Sequence, residues 1–272
     1  MNTRGSLRII IPIKQVPETS NVRMDENTGT MVREGVESIV NPLDLYAIEM
    51  GVQLRERYGG AVTVITMGPP AAERALREAM SMGCDDALLI SGPEFAGSDT
   101  WATSFALSRA IERIGAYDLV LTGERATDGD TGQVGPGIAS FLDVPLGAYV
   151  SKIIDLTDRE VTVERLLEEG YETVRLCLPA LLTVVKEISY PRLPTLRGKQ
   201  RARQADIPLW SAESLHVPKE NLGLKGSPTR VERIFSPRVT REGTRITVRD
   251  EQDGERAVQE LISFIRKRNL LQ

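Results

Sequence analysis

From residue 7 to residue 142 the chain alternates short apolar runs with segments of helical period, and that alternation restricts it to a layered α/β fold. Residues 7–14 (LRIIIPIK) read as a buried strand. Residues 42–58 carry Leu45, Ile48, Val52 and Leu54 at helical spacing, behind Asn41 as an N-cap and Pro42 at the first helical position. Residues 62–67, 87–90 and 118–122 read as further strands. Residues 70–82, 100–114 and 131–142 read as helices, the first two ending before Gly83 and Gly115. Residues 25–29 (DENTG) read as a turn that can join two short strands. Strands and helices in this order imply right-handed crossovers and a doubly wound, mostly parallel sheet. Such a sheet binds ligands beyond the carboxyl ends of its strands, where residues 12–14, 67–70 and 123–133 lie.

The pattern then changes. Residues 149–156, 160–167 and 172–176 read as an antiparallel meander, and residues 180–185 (ALLTVV) as one more core strand. From residue 189 the chain turns Pro- and Arg-rich (SYPRLPTLRGKQRARQ), which predicts an extended arm with little core of its own. Ala257, Val258, Leu261, Ile262 and Ile265 then share one face of a helix over 254–269. The expected organisation is an α/β domain over 1–188, an arm over 189–205 and a C-terminal extension over 206–272.

Composition excludes several functions. A net charge of −4 supplies no global field for nucleic acid, and no aromatic ladder interleaves with the arginines of the arm. No apolar run approaches the ~18 residues of a membrane span, and residues 1–6 do not resemble a secretory leader, so the expectation is a cytoplasmic protein without membrane insertion. The single histidine, His216, leaves no material for a histidine-based triad or a histidine-rich metal site. Cys84 and Cys177 stand outside any C-x-x-C pair and read as two buried thiols. Hard chemistry, if the chain takes part in any, then belongs to a bound cofactor.

The sharpest local signal is GERATDGDTGQVGP, residues 123–136, between a strand and a helix. Gly129, Gly132 and Gly135 let backbone approach a ligand closely, and amides around 129–133 would meet a phosphate at the helix start. The run matches neither G-x-G-x-x-G nor the P-loop pattern. Asp128 and Asp130 would repel a phosphate if left bare, so they are expected to cap the helix, to accept from backbone amides or to reach a ribose hydroxyl. A turn that only caps a helix satisfies the same residues. Asn41, Pro42, Leu43 and Asp44 form a second helix start, with Asp44 able to reach back to it. In the arm, Leu193 and Leu196 stand among Arg192, Arg197, Lys199, Arg201 and Arg203, a composition that suits either a solvated loop or a docking surface.

Seven segments in order resemble the beta subunit of electron-transfer flavoproteins, along nearly the full chain. They are IPIKQVP (11–17), VNPLDLYAIE (40–49), VITMGPP (64–70), LVLTGERATDGDTGQVGP (119–136), FLDVP (141–145), LPALLTV (178–184) and YPRLPTL (190–196). The resemblance implies an adenine-nucleotide hydrolase-like α/β fold and a heterodimer with an alpha subunit that carries FAD. It implies a nucleotide in this subunit as well, either AMP or a second FAD. By position it assigns that nucleotide to Pro12, Asn41, Pro42, Leu43, Asp44, Met67, Gly123, Glu124, Arg125, Ala126, Thr127, Asp128, Gly129, Asp130, Thr131, Gly132, Gln133 and Val134. It assigns docking on an acyl-CoA or other flavin dehydrogenase to Leu193, Leu196 and Arg197.

TDGDTGQVGP, and GLKGSPTRVERIFSP at 223–237, are most similar to the electron-bifurcating group, which adds NADH and ferredoxin or flavodoxin as redox partners. Pro12 departs from the respiratory group, where that position is often small. The alternatives are a non-bifurcating subunit with structural AMP and, from another class, a nucleotide-binding sensor without redox function.

Overall fold

The computed structural model describes residues 6–18, 38–232, 243 and 245–268, in two compact units over residues 1–233 and 234–272. In chain order the first unit contains β1 (Leu7–Pro12), β2 (Gln15–Pro17), β3 (Ser38–Val40), α1 (Asp44–Tyr58), β4 (Gly60–Met67), α2 (Glu73–Met82), β5 (Asp86–Ile90), α3 (Thr100–Ile114), β6 (Leu119–Gly123) and α4 (Val134–Leu142). It continues with β7 (Leu146–Leu156), β8 (Glu160–Leu167), β9 (Gly170–Cys177), β10 (Ala180–Val184), α5 (Leu196–Gln204), β11 (Leu209–Trp210), α6 (Ala212–Leu215) and α7 (Gly223–Gly226). The second unit contributes α8 (Glu251–Lys267). The predicted turn at 25–29 lies outside the described residues.

Among the described residues the main sheet runs β11-β5-β4-β1-β6-β10-β7-β8-β9, and β2 pairs with β3 in a small antiparallel sheet. The main sheet is parallel from β11 to β7. β8 and β9 then extend it antiparallel, in the place where a meander was expected. β1 pairs with β4 on one side and β6 on the other, so the winding direction reverses between β1 and β6.

Strand alternation explains why both faces are covered. Ile9 and Ile11 pack with Ile48, Val52 and Leu76 of α1 and α2. Ile10, between them, packs with Ile111 and Ile138 of α3 and α4. β6 repeats the device, with Leu119 and Leu121 on the first face and Val120 on the second. Each such fully buried side chain contributes roughly 1.5–3 kcal/mol. Close packing also fixes where α4 lies. Gly137 comes so near the hydroxyl of Ser104 on α3 that a Cβ would not fit.

Four expectations need correction. α1 begins at Asp44, not Pro42, and α4 begins at Val134, not residue 131. Residues 196–204 of the supposed extended arm are helical. Thr195 starts that helix by accepting from the amide of Gly198 at 2.9 Å. The helix is held on α2 by arginine donors: Arg201 donates to the carbonyls of Met80 (3.0 Å) and Cys84 (2.6 Å), and Arg77 to those of Ala202 and Ala205. Finally, Cys84 is buried but Cys177 is exposed, since β9 is the sheet's edge strand.

Candidate functional site

A cleft of about 990 Å³ opens at the carboxyl ends of the strands around the β1/β6 reversal. That is where the doubly wound topology leaves a crevice. Its floor is Pro12, Ile13 and Lys14 after β1, Met67 to Pro70 after β4, and Thr122 and Gly123 at the end of β6. One wall is the glycine-rich run: Glu124, Arg125, Ala126, Gly129, Asp130, Thr131, Gly132, Gln133 and Val134. The opposite wall was not anticipated from sequence. It is residues 91–93 and 95–100, with Thr103, Leu107, Thr229 and Val231. Asp99 joins its parts, accepting from the amide of Ala102 (3.0 Å) at the start of α3 and from both the amide (3.0 Å) and hydroxyl (2.8 Å) of Thr229.

Asn41, Pro42, Leu43, Thr127 and Asp128 are not in the cleft lining, although Asp44 is. Asn41 does not cap α1 either; Leu43 stands at the cap position without a side-chain bond. The carboxamide of Asn41, only 1% exposed, reads the glycine-rich run instead. It donates to the carbonyl of Arg125 at 2.9 Å and accepts from the amide of Thr127 at 3.2 Å. Asp44 joins the ends of the two central strands. It accepts from the amide of Lys14 at 2.7 Å and bonds the amide of Gly123 and the side chain of Asn41. Burial pushes its carboxyl up to about 7, against the lowering effect of those donors. Gly123 must be glycine here, because a Cβ would stand 2.5 Å from the Asp44 carboxylate and 2.8 Å from the Leu43 carbonyl carbon.

The two aspartates of the run also differ from expectation. Neither caps α4, whose cap position is Gln133 without a side-chain bond. Asp128 pairs with Lys14 at 2.7 Å and Asp130 with Arg125 at 3.2 Å. Pro136 has no N–H and the amide of Gly137 donates to the Gln133 carbonyl at 2.9 Å, so the amides of Val134 and Gly135 are the ones the helix start offers, without a side-chain cap. The glycines are not equivalent. Gly132 takes φ +64, whereas a Cβ at Gly129 would meet only the Lys14 ammonium, at 3.9 Å. Thr122 keeps a buried hydroxyl without a hydrogen-bond partner beside this helix start, 2.8 Å from where a Gly135 Cβ would lie.

These residues fit a nucleotide. The floor is apolar, the helix start offers unpaired amides, and the glycines leave room for close approach. Arg192 and the apolar side chains of the arm lie outside the cleft lining. Leu193 and Leu196 are each 87% exposed, and Tyr190 is 91% exposed. Arg192 anchors them from below, donating to buried Glu49 and to Glu56 on α1 through bonds of 2.6–3.1 Å.

A doubly wound sheet with an apolar crevice and an amide-lined helix start defines a ligand-holding α/β protein. The electron transfer flavoprotein domain matches residues 28–215. The chain is 46% identical over 266 residues to the electron transfer flavoprotein subunit beta of Thermoanaerobacterium thermosaccharolyticum, covering 97% of this chain and 100% of that one. It is 45% identical over 242 residues to a caffeyl-CoA reductase-Etf complex subunit of Acetobacterium woodii, covering 89% and 92%. It is 45% identical over 238 residues to protein FixA of Sinorhizobium fredii, covering 85% and 84%. The chain belongs to the electron transfer flavoprotein family, in its beta-subunit branch. No helix among the described residues is long and apolar enough to cross a membrane.

Proposed function

We propose that this chain, paired with an alpha subunit, holds FAD in the cleft and takes part in flavin-based electron bifurcation. The size of the cleft carries this reading. At about 990 Å³ it stands at the upper end of small-molecule sites, and a mononucleotide such as AMP would leave much of it unfilled. When bound there, FAD supplies hydride acceptance from NADH, which AMP cannot supply.

The chain's own residues would bind, orient and enclose. Backbone amides around 129–133 and at the start of α4 would take the phosphates. Pro12, Ile13, Met67 and Gly68 would form the flat apolar bed for a ring system. Asn41 and Asp44 would act one layer back, holding the 125–127 segment and the strand ends in place. Leu193, Leu196 and Arg197 would meet an acyl-CoA or other flavin dehydrogenase, with ferredoxin or flavodoxin as the low-potential acceptor. The Acetobacterium relative, named as part of a caffeyl-CoA reductase complex, supports a partner of that type.

The test is stoichiometry. The co-purified heterodimer is expected to release two FAD per dimer on denaturation. One FAD with one AMP would instead describe a simple shuttle with a structural nucleotide.

A further inference from the structure

The cleft poses an electrostatic problem that the nucleotide reading does not itself solve. Among the described residues two cations line it, Lys14 and Arg125, against the carboxylates Asp99, Glu124 and Asp130 and the buried carboxyl of Asp44, which is pushed up to about 7. Asp128 adds one more carboxylate in the glycine-rich run. An anionic ligand must settle on the amides of this same acidic run. Arg125 answers for its own neighbours, pairing with Asp130 at 3.2 Å and Glu124 at 3.7 Å. Asp99 is satisfied by amides and a hydroxyl on the opposite wall. Asp128 is met from outside the run, by the ammonium of Lys14 at 2.7 Å.

Lys14 is well placed for this work. It follows β1 directly, and its amide is fixed by the buried carboxylate of Asp44 at 2.7 Å. Its side chain crosses the mouth of the β1/β6 crevice, and its ammonium lies 3.9 Å from the position of a Gly129 Cβ. The charge thus sits beside the amides at 129–133 and is half exposed, so it costs little desolvation.

We infer that Lys14 is a positioning residue of the nucleotide site: by pairing with Asp128 it cancels the repulsion that would keep a phosphate off the glycine-rich run. The inference rests on the nucleotide reading of the cleft. It differs from a direct ligand role, because the partner of Lys14 is a carboxylate of this chain. It also has a signature that a structural role lacks. Repulsion between an unpaired Asp128 and a phosphate is screened by salt, whereas a loosened loop is not repaired by salt.

The experiment uses nucleotide-stripped heterodimer, with FAD and AMP as probes, and reads dissociation constants by fluorescence and calorimetry at low and high ionic strength. Lys14→Met should weaken binding by about tenfold at low salt, the scale of one uncompensated charge near a phosphate, and the loss should shrink as salt rises. Lys14→Arg should bind as the wild type does, and Asp128→Asn, which removes the carboxylate and frees the ammonium, at least as tightly. The double variant Lys14→Met with Asp128→Asn should regain wild-type affinity. Wild-type binding by Lys14→Met, or a loss that persists in the double variant and ignores salt, would overturn the inference. Gly132→Val separates the two levels. If it binds as the wild type does, the phosphate reading of the run fails and Lys14 with it. If it binds weakly while Lys14→Met is unaffected, only the assignment of Lys14 falls.

Discussion

Helix α1 carries a buried carboxylate at each of its two working regions, and the two behave oppositely. Asp44 faces the cleft and Glu49 faces the arm, at 6% and 4% exposure. The donors to Asp44 are neutral amides, which do not offset burial, so its carboxyl rises to about 7. Burial also pushes Glu49 up, but bonds from the Arg192 guanidinium and from Gln53 outweigh it and hold the carboxyl below the ordinary range. The difference has two sources: Asp44 lies deeper among protein atoms and meets only neutral amides, whereas Glu49 meets a guanidinium. At the cleft the result is a group poised to titrate near neutrality. At the arm it is an anchor that stays ionised at neutral pH.

The comparison breaks most readily on the pH dependence of stability. The folded pKa of Asp44 is raised, so the fold favours its protonated form. Its contribution is fully present below the ordinary value of 3.8 and is lost as pH rises towards about 7. Over that window the loss amounts to about 3–4 kcal/mol. Asp44→Asn should abolish that slope in chemical denaturation across the pH range, whatever its effect on the baseline. An unchanged slope would remove Asp44 from its role.

Arg192→Ala should come next, lowering stability by about 2–3 kcal/mol because it strands Glu49 in the interior. Its sign with pH is opposite. The folded pKa of Glu49 is depressed, so its contribution holds above the ordinary value of 4.5 and fades as pH falls below it. The variant should lose that part of its acid sensitivity. The smallest expected effect is at the surface of the arm. Leu196→Ala should weaken docking on a flavin dehydrogenase by about 1 kcal/mol, read as slower electron transfer at limiting dehydrogenase, with folding and flavin content unchanged. Equal transfer rates would leave the exposed leucines without a function.

How far the sequence carries this comparison differs between its two sides. The crossover architecture was legible because β1, β4, β6 and β10 are predominantly apolar runs and α3 is bounded by Asp99 and Gly115. The glycine-rich run was legible as a place, but its wiring was not. Asn41 bonds a carbonyl and an amide more than eighty positions away, and local reasoning made it a cap. The opposite wall carried no signal, since Thr229 reaches Asp99 across 130 positions. The helix at Leu196–Gln204 was missed for a similar reason. Its stability comes from Arg201 and Arg77 gripping carbonyls on both sides of the α2 contact rather than from an apolar stripe.

The central claim is that the cleft at the β1/β6 reversal serves a flavin that NADH reduces directly. Anaerobic mixing of the purified heterodimer with NADH, with no dehydrogenase present, tests it most directly. Flavin absorbance is expected to fall rapidly on addition of NADH, and that response to be lost in Gly132→Val. Flavin that stays oxidised with NADH, yet is reduced by an acyl-CoA dehydrogenase and its substrate, would contradict it.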